Sequence, residues 1–255
     1  MRKFLLSLAL LAVIGLLFTL WSTRDFVQVH VDRPDLKVIQ LRVNAANVYL
    51  VQRDGTNLMI DSGNPGDEAT IEAAMREAGM PPGSFKYLFL THGHLDHLGT
   101  ARHFQSQYGV QVIGGSGDAG LFSADDAQPL CTTSLLAVGI DTMLQGKTYP
   151  PFTADRLIDA PAALDSLGLR GEILPMPGHT EGTLLVIFDE VVFVGDLIRG
   201  ELYRPAVPTR HFFMCDLQDN DEDIARLLER EELTRWFTGH FGPLEAEQVR
   251  RIWRP

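Results

Sequence analysis

Cysteine is scarce in this 255-residue chain. The two that occur, Cys131 and Cys215, lie in no C-x-x-C or other metal-ligand pattern, which leaves no cysteine-based metal motif. Runs of basic residues are missing as well. Lys and Arg number 22 against 33 Asp and Glu, for a formal net charge of −11. Nucleic-acid binders draw affinity from neutralising phosphates with clustered cations, so this balance argues against a nuclease. There is no internal repeat, no low-complexity tract and no G-x-S-x-G nucleophile motif. What remains, 45% hydrophobic and 22% charged residues, is ordinary for one large globular domain or two small ones.

Charge is also absent from the stretch Phe4–Trp21, which follows the cations Arg2 and Lys3. As a helix it would run about 27 Å at about 1.5 Å per residue, close to a hydrocarbon core of about 30 Å. Cations before such a stretch stay in the cytoplasm and send the rest of the chain across the membrane. A cleaved signal peptide is the rival reading, but "LFTLWSTRDF" offers no A-x-A site. The expectation is an N-terminal membrane anchor or signal segment over residues 1–21, a linker or first strand over 22–36, and an extracytoplasmic catalytic domain over 37–255. An even cysteine count in an exported chain permits a disulfide. Two buried thiols would fit equally, and spacing does not separate the cases.

From Lys37 onward strands dominate. "KVIQLRV" alternates with period two, and "NVYLVQRDGTNLMIDSG" reads as a hairpin turning at Asp54-Gly55. "DEATIEAAMREAG" is a helix ending at Gly79. "KYLFLTH" is a short apolar strand, "HLGTARHFQSQYG" a helix stopped by Gly109, and "VQVIGG" the next strand. Residues 115–170 are irregular, and a lid, a helical insertion or a plain surface excursion fits them, the excursion slightly better. Strands resume with "GEILPMPGHTEG" and the hairpin "TLLVIFDEVVFVGD". "DNDEDIARLLEREEL" is a helix, "RWFTGHFG" a last strand and loop, and "PLEAEQVRRIW" a closing helix. Two similar runs of strands and helices predict a layered α/β domain.

The chemistry is concentrated in "THGHLDHLG". Three of the eight histidines fall within six positions. His92 and His94 are two apart at a strand end and so point the same way. Asp96 and His97 follow where the chain turns into a helix. Imidazole and carboxylate are good zinc ligands, and catalytic zinc sites keep a position for water. Three further strand ends each carry one more candidate: His179 in "MPGHTEG", Asp196 in "VVFVGD" and His240 in "RWFTGH". A carboxylate after a strand as apolar as "VVFVG" is costly unless it is paired or meets a cation.

T-H-G-H-L-D-H-L-G, P-G-H-T-E-G, V-G-D and G-H, in this order, resemble the metallo-β-lactamase-fold hydrolases over about residues 37–250. The resemblance implies a four-layer αβ/βα sandwich with its site at the sheet edges. It implies two zinc ions: one held by His92, His94 and His179, the other by Asp96, His97 and His240, with Asp196 bridging them beside a water or hydroxide. Asp61 in "MIDSG" looks like the carboxylate that supports the metal histidines, though a strand-end turn residue reads equally well. Asp96 and Asp196 would lower the net charge of the ion pair and fix its spacing.

An acidic bridging residue favours the glyoxalase II-like and lactonase-like branches, which cleave thioesters, esters or lactones. The helical extension that helps glyoxalase II bind glutathione is not seen after His240. Lactonases of this fold often carry a Tyr after the bridging Asp, which here offers Tyr203 as an oxyanion donor, although a packing or surface tyrosine reads better; Arg199, Arg204, Arg210 and His211 are lesser candidates for substrate contact. Alternatives are a mononuclear-iron oxidoreductase similar to the persulfide dioxygenases, a β-lactam hydrolase, or a protein that keeps metal for structure alone. The expected partners are a small-molecule substrate and the membrane, with no nucleic acid.

Overall fold

The structure is a computed structural model and describes residues 25–125 and 130–253. The expected anchor at 1–21 lies outside the described residues. Among those described, no helix is long and apolar enough to cross a membrane.

Two sheets make the frame. The first runs β1 (Phe26–Asp32), β2 (Leu36–Val43), β3 (Ala46–Arg53), β4 (Thr56–Ile60), β5 (Phe85–Phe89), β6 (Gln111–Gly115) and β7 (Arg156–Ile158), in that spatial order. Strands β1 to β4 pair antiparallel and β4 to β7 parallel. Phe26–Asp32 of the stretch read as a linker or first strand form strand β1. The second sheet contains β8 (Ala162–Ala163), β9 (Glu172–Pro175), β10 (Leu184–Phe188), β11 (Val191–Gly195), β14 (Arg235–Thr238) and β15 (Leu244–Glu245). Two short strands, β12 (Arg199–Gly200) and β13 (Pro208–Thr209), pair outside it. The predicted hairpins turn at Asp54-Gly55 and at Asp189, where positive φ angles suit Gly and Asp.

Strand periodicity assigns the layers. Along β2 to β5, Val38, Tyr49, Val51, Leu58, Ile60, Tyr87 and Phe89 point between the sheets, where they meet Val186, Phe188, Phe193 and Phe237. Their alternates Ile39, Leu41, Leu50, Met59 and Leu88 point outward, under helices α1 (Glu68–Glu77) and α3 (Ala101–Tyr108). The outer face of the second sheet buries Leu185, Val192, Val194 and Trp236 against α6 (Leu217–Leu228) and α7 (Ala246–Ile252). The result is helix, sheet, sheet, helix. The central strands β2, β3, β10 and β11 are buried on both faces and read as near-continuous apolar runs, while β1, β7 and β8 are largely exposed.

The irregular stretch after β6 is not a plain excursion. It holds α4 (Ala119–Ser123) and α5 (Leu135–Leu144). Cys131 and Cys215 form a disulfide, and residues 131–133 exchange backbone hydrogen bonds with 212–214. One strap thus ties the segment after β6 to the segment after β13.

Candidate metal centre

The site lies where strands of both sheets end. The loop after β5 carries His92, His94, Asp96 and His97, the last two on the single turn α2 (Leu95–Leu98). His179 follows β9, Asp196 follows β11 and His240 follows β14. All seven predicted residues come together. Asp196 Oδ2 faces Nε2 of His92 at 3.7 Å, His97 at 3.5 Å, His179 at 3.7 Å and His240 at 3.3 Å. His94 Nδ1 is 3.0 Å from His179 Nε2, and Asp96 Oδ2 is 3.2 Å from His240 Nε2. His92, His94 and His179 form one group of ligand atoms with the separation a single ion requires, and Asp96, His97 and His240 form another.

Four of these rings are aimed by the backbone and by side chains behind them. His179 Nδ1 bonds the Phe213 carbonyl at 2.7 Å and His240 Nδ1 the Ala45 carbonyl at 2.9 Å. His97 Nδ1 bonds Asp61 Oδ2 at 2.8 Å, and His92 Nδ1 meets Thr91 Oγ1 at 3.0 Å. Thr91 in turn donates its hydroxyl and its backbone N–H to Asp61. Asp61 thus supports two histidines, one directly and one through Thr91, which decides between its two sequence readings. It sits at φ 58°, a left-handed conformation Asp tolerates. Fixing Nδ1 leaves Nε2 turned inward, the arrangement metal-binding imidazoles adopt.

The electrostatics call for cations. Burial opposes charge on Asp196, yet His211, His240 and His97 hold its carboxyl well below the usual range. Burial likewise works against a proton on His240, but Asp196 and Asp96 push it up to about 10. His97 is also raised, against burial, by Asp96, Asp196 and Asp61. Burial, then neighbouring His179, drives His94 down to about 3. His92 Nε2, His97 Nε2 and Asp196 Oδ1 are buried without a hydrogen-bond partner. Orphaned donors and acceptors in a dry pocket are costly. A divalent ion shared among these atoms removes that cost, so the donor set fits metal.

Sequence reasoning missed two residues. His211 was weighed only as a lesser substrate contact. It is buried, with Nε2 3.3 Å from Asp196 Oδ2, and it groups with His179 and Asp196. Asp118 was not singled out at all. It accepts hydrogen bonds from Gly93 N, Thr180 Oγ1 and Gly182 N, joining the His92–His94 loop to the His179 loop. Its signal was a carboxylate closing "VIGGSGD" after a buried strand. At the same seam Gly115 and Gly117 lie backbone against backbone with Gly182 and Glu181, leaving no room for a Cβ. Tyr203 takes its surface reading: it is 57% exposed and is not among the residues lining the cavity described below, which removes it as an oxyanion donor. Arg204 pairs with Glu201 and Arg210 with Asp221, whereas Arg199 is buried with its guanidinium 4.0 Å from the Phe212 ring centre.

Over the site opens a cavity of about 590 Å³. Its floor is His94, Asp96, Asp196, His211 and His240. Its walls are largely apolar, from Leu121, Leu130, Ile140, Leu144, Phe212 and Phe241.

The sequence profile of the metallo-beta-lactamase superfamily matches residues 41–240. The chain belongs to this superfamily. It is 30% identical over 181 residues to the hydroxyacylglutathione hydrolase GloC of Haemophilus influenzae, covering 68% of this chain and 77% of that protein. It is 25% identical over 243 residues to the probable metallo-hydrolase YflN of Bacillus subtilis, covering 82% and 86%. Among solved structures, BJP-1, a subclass B3 metallo-beta-lactamase of Bradyrhizobium japonicum, superposes with a TM-score of 0.58 at 15% identity, over 82% of this chain and 76% of that one. The expected fold is therefore observed. The protein is a metal-dependent hydrolase of this superfamily, and its candidate ligands are the His and Asp side chains grouped above.

Proposed function

We propose that this protein is a dinuclear-zinc hydrolase of acyl bonds, acting on an ester, thioester or lactone. The observation that carries the reading is Asp196, one buried carboxylate faced by five imidazoles at 3.3–3.7 Å. His92, His94 and His179 would hold one ion, Asp96, His97 and His240 the second, and Asp196 both. Bound there, the ions would supply an acidified water at neutral pH and a Lewis acid for a carbonyl.

The chain's own residues do the rest. Asp96 and Asp196 balance the charge of the pair and keep its spacing. Asp61, through Thr91 and His97, keeps imidazole nitrogens aimed inward. Leu95, Leu121 and Phe241 exclude bulk water from the floor, which strengthens every polar contact there. Support for the acyl-transfer end comes from the relative named as a hydroxyacylglutathione hydrolase. The substrate is a small molecule, with no nucleic acid involved. The domain works on the extracytoplasmic side, held by Phe4–Trp21. The Cys131–Cys215 disulfide fits an oxidising compartment.

The test is metal analysis of the purified chain with turnover of a panel of lactones, thioesters, esters and cephalosporins. The expected result is close to two zinc ions per chain and acyl hydrolysis abolished by chelation. One tightly bound iron without zinc-supported hydrolysis would assign the oxidoreductase reading instead. Hydrolysis confined to cephalosporins would assign the β-lactam reading.

A further inference from the structure

Helix α5 is apolar all round. Its sequence, "LLAVGIDTML", has one charge, Asp141, which turns back to accept from Leu130 N and Gln145 Nε2. One face is used by the fold: Ala137 is buried, and Ile140 and Leu144 line the cavity. The opposite face carries Leu135, 91% exposed, Leu136, 62%, Val138, 47%, and Met143, 77%. Gly139 and Thr142 complete it, with no charge. A helix hydrophobic on every side belongs in a core or in contact with lipid, and a contiguous exposed apolar patch marks an interaction surface.

What covers this face follows from where the chain enters the domain. Asp25, the first described residue, accepts a hydrogen bond from Asn44 N at 3.0 Å, and Asn44 with Ala45 lines the same cavity as Ile140 and Leu144. The entry point and α5 thus stand on one rim. Four residue steps separate Trp21 from Asp25, at most about 14 Å of extended chain. A bilayer holding Phe4–Trp21 would then lie within reach of the cavity mouth.

We propose that α5 is a lip of the active-site mouth that sits shallowly in this bilayer, and that the cavity takes an amphiphilic acyl substrate directly from it. Leu135, Leu136, Val138 and Met143 enter the lipid interface, while Ile140 and Leu144 continue the apolar surface down to His94 and His240. An acyl chain then passes from lipid to cavity without crossing water, its ester or thioester group reaching the floor. The substrate half rests on the acyl-hydrolase reading and on the anchor proposed above; the contact of α5 with lipid rests on the anchor alone. A bilayer of neutral headgroups suits a face with no cations on a chain of net charge −11.

The experiment uses the full chain carrying Trp21→Phe in phosphatidylcholine vesicles, with Leu136→Trp as reporter and its emission read as the difference from the Trp21→Phe parent, which keeps Trp236 and Trp253. Gln111→Trp, at the end of β6 remote from the site, is the control. Emission from position 136 should shift to the blue on reconstitution and be quenched by phosphatidylcholine brominated on its acyl chains, with position 111 unchanged. Absence of both effects at 136 overturns the proposal. So does a blue shift that depends on protein concentration without lipid, which would assign the face to a second copy. In a second arm, Leu135→Asp/Leu136→Asp/Met143→Asp should lower hydrolysis of a long-chain thioester embedded in vesicles by about tenfold or more. A short water-soluble ester should be cleaved at the parental rate, which also reports folding. Equal loss on both substrates, or on neither, overturns the substrate half. If the parent chain cleaves neither, the acyl-hydrolase reading fails while the quenching arm still decides the contact of α5 with lipid.

Discussion

The floor and the wall of the cavity are built by opposite means. The floor gathers six imidazoles and two carboxylates, and four of the rings are aimed by a partner behind them. The wall after β6 is a short helix and loops, stapled by one disulfide and a few backbone bonds, with large apolar side chains left in solvent. Polar groups are buried in the floor, where they are costly, and apolar groups are exposed on the wall, where they gain nothing in water. Each inversion of the usual rule marks a place where something else must bind: a cation below, an apolar partner above.

The sharpest way to break this contrast is Asp196→Asn. It keeps shape but removes the charge that five imidazoles face. Metal content should drop, with the ion at Asp96, His97 and His240 lost first. Turnover should fall by about 10²-fold or more. Circular dichroism should be unchanged, because the strands are held by their own apolar faces. Two retained ions with full activity would make Asp196 a turn residue. Next in size is removal of the staple. Cys131→Ala/Cys215→Ala should cost about 2–4 kcal/mol in a denaturant melt yet keep metal content near that of the parent. Loss of both ions would show that wall and floor are one unit.

Asp61→Asn tests the support under the floor. Metal affinity should fall by about 10- to 100-fold, read by competition with a chromogenic chelator, with the wall untouched. The smallest effect is expected far from both. Glu72 on α1 accepts from Tyr108, His103 and Arg76, and these bonds, Tyr108 first, lower its carboxyl to about 2. A depressed carboxyl stabilises the fold above its unfolded pKa, near 4.5, and that contribution fades as pH falls toward 2. Glu72→Gln should therefore cost about 1 kcal/mol at pH 7 and almost nothing near pH 2, measured by thermal melts at both pH values. A cost equal at both would remove the carboxylate from the account.

The same contrast governs what could be read in advance. His92, His94, Asp96 and His97 are adjacent in the chain, so spacing alone revealed them. His179, Asp196 and His240 were legible because each ends an apolar strand. The two hairpins were legible because Asp54-Gly55 and Asp189 demand a turn. His211 was not legible in the same way. It follows β13, a two-residue strand with no periodicity, and only the strap through Cys215 and Phe213 brings it under Asp196. The lining role of Ile140 and Leu144 was equally hidden, because a helix that is apolar on both faces has no polar side to reveal its orientation. Tyr203 is the surface tyrosine its weaker signal suggested, since closeness in sequence to Asp196 did not become a place in the cavity.

Backbone meets backbone where Gly115 and Gly117 touch Gly182 and Glu181. At that contact no exchange of side chains can lengthen or shorten the gap between the segment after β6, whose Asp118 also holds Gly93 N, and the His179 loop. Descendants of this chain would find the geometry of the floor nearly immutable, and drift would accumulate in the wall. A directed-evolution library aimed at new substrates should therefore randomise residues 130–149 and 199–213, sparing His211, and leave the glycine contact alone. Selectivity would then move while the candidate metal ligands stay where they are.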